Sequence, residues 1–509
     1  MSFSILLFAT FAFFVDFQSG YDPRDLSLEY LLMERLAIRG VLDRNGLSTR
    51  PIPERSWNEK LRLAVPRTEF DSAALRALSK ATDFEEFALK MPIRLHGYLA
   101  VRDTVHRHEI YSHLYGTAML RLRTVSLFHK SAIFNRRMSN WHDLPFYDPL
   151  VDPDFRLVCF EDKPVVGERE TFEVRTDRAY IHIELPFGDL EVGRDEPRFG
   201  PGFRSAVAFS GYSQPMEYIY NLRVRNRWLT FVTFNAFASD TIKWKRVSAQ
   251  RLELNFWRLT VGFTESVVYN SSDPFKYFNP LGLYYITQRR GESNTDNLMG
   301  GMDISLFVGQ KLKVYGELLD DDIIITRSHP SPSKYGLMLG FHAVDPFGLR
   351  NSDLIFEFTH VARFTYAHVY SDYANTPEIV GYPFVFWGGP NVDCISLDIF
   401  KFWGPENGIR LGFEFLRHGD DGMHSGYQSD IDIPPNRPNF DRIFTVRTVF
   451  FGDFKGVKAE LGAEISRLTG ELRDGWRFAF RFDIVPMAPT VSFDKLLPHL
   501  QGGKVTSTP

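Results

Sequence analysis

The chain has 509 residues, with 59 Lys and Arg against 63 Asp and Glu and a formal net charge of −4, so its charge gives no sign of a nucleic-acid partner. Cys159 and Cys394 are its only cysteines, which excludes a cysteine metal framework and favours two separate thiols over a disulfide. Aromatic residues make up 15 %, Phe alone numbering 47, and mean hydropathy is −0.20, a balance that suits strands facing lipid on one side and a polar lumen on the other.

The first element is an apolar run, Ile5–Val15, of the length of a secretory signal core and too short for a membrane span, so residues 1–20 are expected to be a signal peptide. No Lys or Arg precedes it, and Phe17-Gln18-Ser19-Gly20 departs from a small-residue cleavage site. No later apolar run could act as a helical span, which leaves a closed barrel as the route into a membrane.

Residues 21–92 change to helical spacing. Leu28, Leu31, Leu32, Leu36 and Ala37 share one face, and Gly40 stands where a helix ends. Ser56–Val65 and Asp71–Lys90 are two more expected helices. Three short helices make a small domain that needs a docking partner for stability, and export places it in the periplasm.

From residue 93 to 487 the period becomes two. The stretch Arg94–Glu184 is the least regular, with strands expected at Leu95–Val101, Leu114–Leu122 and Glu173–Glu184 and a Pro- and Asp-rich insertion at His142–Asp154. Leu190–Gly193, Glu217–Val224, Trp228–Phe237, Arg246–Leu254 and Arg258–Val268 continue the series.

The second half then alternates tight turns with long polar loops. Met302–Val308 turns at Gly309-Gln310 into Leu312–Leu319, and the polar loop Asp320–Lys334 follows. Tyr335–Ala343 and Leu354–Val361 are joined near Pro346–Arg350, with a loop running on to Asn391. Cys394–Phe402 turns at Gly404–Gly408 into Leu411–Leu416, before the loop Arg417–Asp441. Ile443–Phe451, Val457–Ile465 and Trp476–Ile484 close the series. Short turns at one end and long loops at the other describe a transmembrane antiparallel β-barrel of about eighteen strands, sixteen being the alternative. Residues 488–509 form a polar tail.

Several residues resemble a known family in order along the chain. Gly193-Arg-Asp-Glu-Pro-Arg-Phe-Gly-Pro-Gly202, with Ala206–Ser210 and Pro215, resembles the WGPG…LLLS signature of the capsule-assembly Wzi family, Phe199 standing where that family has Trp. Gln250–Glu253 with Gly262–Glu265, Tyr277–Pro280, Asp296-Asn297, Tyr315–Asp321, Gly381–Pro383 and Gly388–Asp393 follow in the same order. Tyr30–Gly40 and Thr49–Pro51 resemble the helical segment ahead of such barrels. The resemblance, over about residues 25–485, implies an outer-membrane barrel that attaches or organises capsular or extracellular polysaccharide, with export machinery as a further candidate partner.

The chemistry-bearing clusters each have a plain alternative. Gly200-Pro-Gly202 either shapes a loop folded into the lumen or is a simple turn. Asp320-Asp-Asp322 has hard oxygens for Ca²⁺ but no ligand loop around it, so an exposed acidic edge is expected. His106, His108 and Glu109 could share a strand face, yet no second cluster completes a site, so neither metal nor cofactor is expected. No nucleophile elbow or phosphate-binding glycine loop occurs, and an enzyme is not expected.

Polysaccharide rings stack on aromatics, and their hydroxyls pair with Arg, Asn and Asp. Tyr269–Tyr285 with Arg289 and Arg290, and Tyr373–Trp387 with Asn391 and Asp393, bring those types together in outer loops. The carbohydrate contacts expected are Arg198, Arg289, Tyr382 and Trp387, against an alternative in which these aromatics only form the interfacial girdle and pack the loops. Surface polysaccharide and outer-membrane lipid are the expected partners. A porin or substrate channel is the other class, distinguished by an open lumen where an anchor would have a blocked one.

Overall fold

The computed structural model describes residues between 28 and 492, apart from the segments 140–167, 322–333 and 420–439 and several shorter stretches between elements. Three helices come first: α1 (Leu28–Ile38), α2 (Glu54–Arg62) and α3 (Glu69–Thr82). Gly40 follows α1 at φ +69°, the left-handed position at which glycine ends a helix without a Cβ clash.

Eighteen barrel strands follow among the described residues. They are β1 (Leu95–Arg102), β2 (Arg107–Leu122), β3 (Val125–Ser139), β4 (Glu168–Leu185), β5 (Gly188–Asp195) and β6 (Met216–Arg225). Next come β7 (Leu229–Phe237), β8 (Lys245–Phe256), β9 (Leu259–Asn270), β10 (Asn297–Val308), β11 (Leu312–Asp321) and β12 (Tyr335–Val344). The last are β13 (Ser352–Val361), β14 (Val392–Gly404), β15 (Asn407–Gly419), β16 (Phe440–Phe454), β17 (Val457–Thr469) and β18 (Gly475–Pro486). A fourth helix, α4 (Tyr284–Arg290), lies between β9 and β10.

Every strand pairs antiparallel with its neighbours in sequence, and β18 returns to β1, so the ladder closes into a barrel. Closure leaves no strand edge unpaired, the condition for a sheet in lipid. Strand β3 was absent from the expected set, because Val125–Ser139 mixes charged and apolar residues at both parities; β2 and β4 also run longer than expected.

Side-chain parity confirms which face meets lipid. On β10, Met302, Ile304, Leu306 and Val308 are exposed, while Asp303, Ser305 and Phe307 are buried. On β11, Val314 and Leu318 are exposed, while Lys313, Tyr315 and Glu317 are buried. An apolar outer wall around a polar interior is the reverse of a soluble sheet and the pattern of a membrane barrel. Trp228, Trp257 and Trp403 stand exposed at the short-turn end, and the guanidiniums of Arg227 and Arg258 lie 4.8 and 4.5 Å from the Trp228 and Trp257 ring centres. Trp476 marks the opposite end, with Arg467 over its ring. These are interfacial girdles, with the cation held at headgroup level.

The helices sit over the short-turn end. Arg44 donates to Trp257 O, Asn45 to Asn226 O and Arg55 to Leu185 O, all at or beside short turns. Arg35 is buried in an ion pair with Asp353 and a second, at 2.8 Å, with Asp345. Arg39 bridges Asp345 and Asp71, tying the β12–β13 turn to α3. Glu34 reaches the luminal Lys313 at 2.6 Å and lies 3.6 Å from His342.

Burial alone would raise the Glu34 carboxyl, but Lys313, His342 and Arg50 outweigh it and hold the group well below its ordinary value. Asp345 is lowered too, burial being outweighed by Arg35, the Ser352 N–H and Arg39. A depressed folded value means that the contribution is present above the ordinary carboxylate range and is lost as pH falls through the folded value. The hydrogen-exchange protection of residues 28–38, relative to the intrinsic rate at each pH, should therefore hold from about pH 7 to about pH 5 and fall only below about pH 4.

Candidate functional site: a stitched lumen plug

Three parts of the chain meet inside the barrel. From the turn end, Gly46 and Thr49 donate to the two oxygens of Glu253 at 2.6 and 2.8 Å, and Arg251 donates to Thr49 Oγ1 at 2.9 Å. Thr49–Arg50 then pairs as a two-residue antiparallel bridge with Arg198–Phe199, which in turn pairs with Phe209–Ser210. From the loop end, Ser210 donates to Phe384 O at 2.8 Å, and the Phe209 and Phe384 rings stack at 5.3 Å. A small sheet and its aromatic neighbours thus cross the lumen.

The β5–β6 connection is held by carboxylates on the barrel's inner wall. Glu357 accepts the backbone N–H groups of Phe203, Arg204 (2.9 Å) and Ser205 (3.0 Å), and the Tyr315 hydroxyl at 2.9 Å. Glu317 accepts Ala208 N–H at 2.9 Å. The Arg204 guanidinium reaches Glu414 at 2.9 Å and Asp398 at 3.4 Å, and Asp398 also pairs with Arg410. Lys313, besides its pair with Glu34, donates to Pro201 O at 2.8 Å, so one ammonium joins wall, loop and helix.

Glycine is required twice in this connection. Gly200 has φ +125°, and a Cβ there would lie 2.6 Å from the Glu317 carboxylate; at Gly202 it would lie 1.9 Å from Ser205 O. Gly200-Pro-Gly202 is therefore the close turn of a loop folded into the lumen.

The β13–β14 connection closes the plug from the loop end. Tyr366 donates its hydroxyl to Val207 O at 2.8 Å and its N–H to Asp321 at 2.7 Å. Burial pushes that hydroxyl well above its usual range, so it stays a donor. Phe384, Val385, Phe386 and Trp387 are buried in one apolar cluster with Phe199, Phe209, Phe234 and Met338.

The four expected sugar contacts separate. Arg198 is 0 % exposed and donates to Gly202 O and Phe203 O at 2.8 and 2.7 Å, shaping its own loop. Trp387 is 4 % exposed, its ring 5.2 Å from that of Phe386. Arg289 lies on α4 in the β9–β10 connection, and Tyr382 in the short strand Tyr382–Pro383, which pairs with Glu378–Ile379; their side chains fall outside the described part of the structure. Arg198 and Trp387 share the lumen plug, whereas Arg289 belongs to another loop. Sequence reasoning missed Glu317, Glu357 and Asp398. Their signal was charge at lumen-facing strand positions, each a group needing partners inside the barrel.

Of the other clusters, Asp321 accepts Tyr366 N–H, while Asp322, His106, Cys159 and most of the 488–509 tail lie outside the described residues. Cys394 is a buried thiol. Among the described residues, no group of three or more His, Cys, Asp or Glu is arranged to hold a metal.

Comparison with known proteins places this architecture. The family described as "Capsule assembly protein Wzi" matches residues 105–422, more than half of the chain. The solved structure of Wzi from Escherichia coli, titled an outer membrane protein involved in group 1 capsule assembly and a carbohydrate-binding β-barrel, superposes with a TM-score of 0.62 at 12 % identity, covering 93 % of this chain and 99 % of that one. The Pseudomonas aeruginosa protein OccD3 (OpdP) gives a TM-score of 0.45 at 10 % identity, covering 78 % and 91 %, and OpdK with vanillate gives 0.44 at 10 % identity, covering 80 % and 100 %. No curated protein matches the sequence. With the ordered motifs, the closed barrel and the family match in agreement, this chain belongs to the Wzi capsule-assembly family and is an outer-membrane β-barrel.

Proposed function

We propose that this barrel attaches or organises capsular or extracellular polysaccharide at the cell surface and catalyses no reaction. The observation that carries the reading is the lumen: carboxylates on its wall are spent on holding the two inward connections, instead of lining a path for solute. A barrel filled in this way has its long-loop end left as the surface for recognition, and the E. coli relative is titled a carbohydrate binder.

In this reading residues 21–92 are the periplasmic helical domain, seated on the short-turn end where export machinery would be met, and residues 93–487 are the barrel. Arg289 and Tyr382, in the outer connections, are proposed sugar contacts. Arg198 and Trp387 serve by fixing the loops that carry the glycan-facing surface.

Deleting the gene should release polysaccharide into the medium while total synthesis is unchanged, measured as cell-bound against soluble glycan. Unchanged retention would contradict the proposal.

A further inference from the structure

The β9–β10 connection folds outward, unlike the two that form the plug. Thr264 and Ser266 on β9 are luminal and Phe263 is exposed to lipid, so Glu265, Val267 and Tyr269 point outside. Their register partners Gln250, Ser248 and Arg246 on β8, and Asn235 opposite Ser248 on β7, share that face. These polar groups on the barrel's outer wall are nevertheless covered: Ser248, Tyr269 and Asn235 are fully buried.

The cover is the segment running from 275 through α4. Tyr277 and Tyr284 pack edge to face, and Tyr277 meets the Tyr269 ring at 4.8 Å. Glu265 accepts the N–H groups of Tyr284 and Tyr285 at 3.0 and 2.9 Å, and Gln250 donates to Gly282 O at 3.0 Å. Tyr277 donates its hydroxyl to Asp296 at 2.6 Å, and Tyr220, outside on β6, donates to Phe278 O at 3.0 Å. Polar wall and polar strap satisfy each other, as groups facing away from water must.

The strap's far side is apolar. Phe275, Phe278, Leu281, Leu283 and Ile286 are all exposed, Leu281 at 83 %. Glu265 and Gln250, where the strap attaches, are one outward position above Phe263 and Leu252, about 7 Å along the strand. The strap is therefore anchored directly beside the lipid-facing band.

We propose that the 275–290 strap is a second membrane contact, seating these five side chains at the headgroup–acyl boundary of the outer leaflet and widening the barrel's footprint there. Lipid is the occupant because the patch is carried by a strap anchored beside the lipid-facing wall.

The test uses full-length protein with Cys159→Ser and Cys394→Ser, carrying one nitroxide label at Leu281→Cys or Leu283→Cys, in phosphatidylcholine–phosphatidylglycerol vesicles. Ile304→Cys in the lipid-facing band and Glu59→Cys on the helices are the references. Collision with oxygen should exceed collision with a water-soluble nickel complex at 281 and 283, as at 304 and opposite to 59. A reading like that of 59, or low collision with both probes as in a contact with a second copy, would overturn the proposal. An aqueous reading at 304 would instead fail the barrel itself.

Discussion

Replacing Glu357 with Ala should release the β5–β6 connection from the lumen wall. One carboxylate accepts three consecutive backbone N–H groups and a tyrosine hydroxyl, all buried. Alanine leaves four donors without an acceptor, and each orphaned buried donor costs about 1–3 kcal/mol. Some of that loss is recovered if the loop leaves the lumen and its N–H groups reach water, so the expected result is detachment with the barrel still closed. Protease cleavage near residues 203–205 should rise, while the folded barrel keeps its anomalous mobility on an unheated gel. Glu357→Gln retains one acceptor oxygen and should show the smaller effect.

Trp387→Ala should act through packing. The ring is buried beside Phe386 in the cluster that joins the β13–β14 connection to the β5–β6 connection. Truncating a buried Trp costs about 3–5 kcal/mol, enough to loosen the loop end of the plug without opening the strand ladder. Thermal unfolding should shift down and glycan retention should fall with it. A stabilising second substitution in the plug should restore retention if the ring positions the loop, and should leave it low if the ring itself stacks on sugar.

The barrel was legible because side-chain direction alternates strictly along a strand, so the order of Met302–Val308, a three-residue turn and Leu312–Leu319 already fixes a hairpin with one lipid face. The helices were legible from spacing around Leu32 and Leu36, but not their seat, since Arg35 finds Asp345 and Asp353 more than 300 residues away. The same limit hid the plug. Glu357 is visible as a charge at a lumen position, yet nothing local links it to Phe203–Ser205. Arg198 and Trp387 are residue types suited to sugar, and composition does not reveal whether an aromatic loop turns inward. The outer strap did leave a readable trace: Glu265 and Gln250 stand at lipid-facing positions, where a polar side chain needs a cover.

The most direct test of the central claim, a barrel filled by its own loops and used as a holder, is conductance of the purified full-length protein in a planar bilayer. The account predicts no ohmic steps for the native chain and their appearance in Glu357→Ala, where the plug is released. Steady conductance by the native chain, unchanged in Glu357→Ala, would contradict it and make the protein a channel.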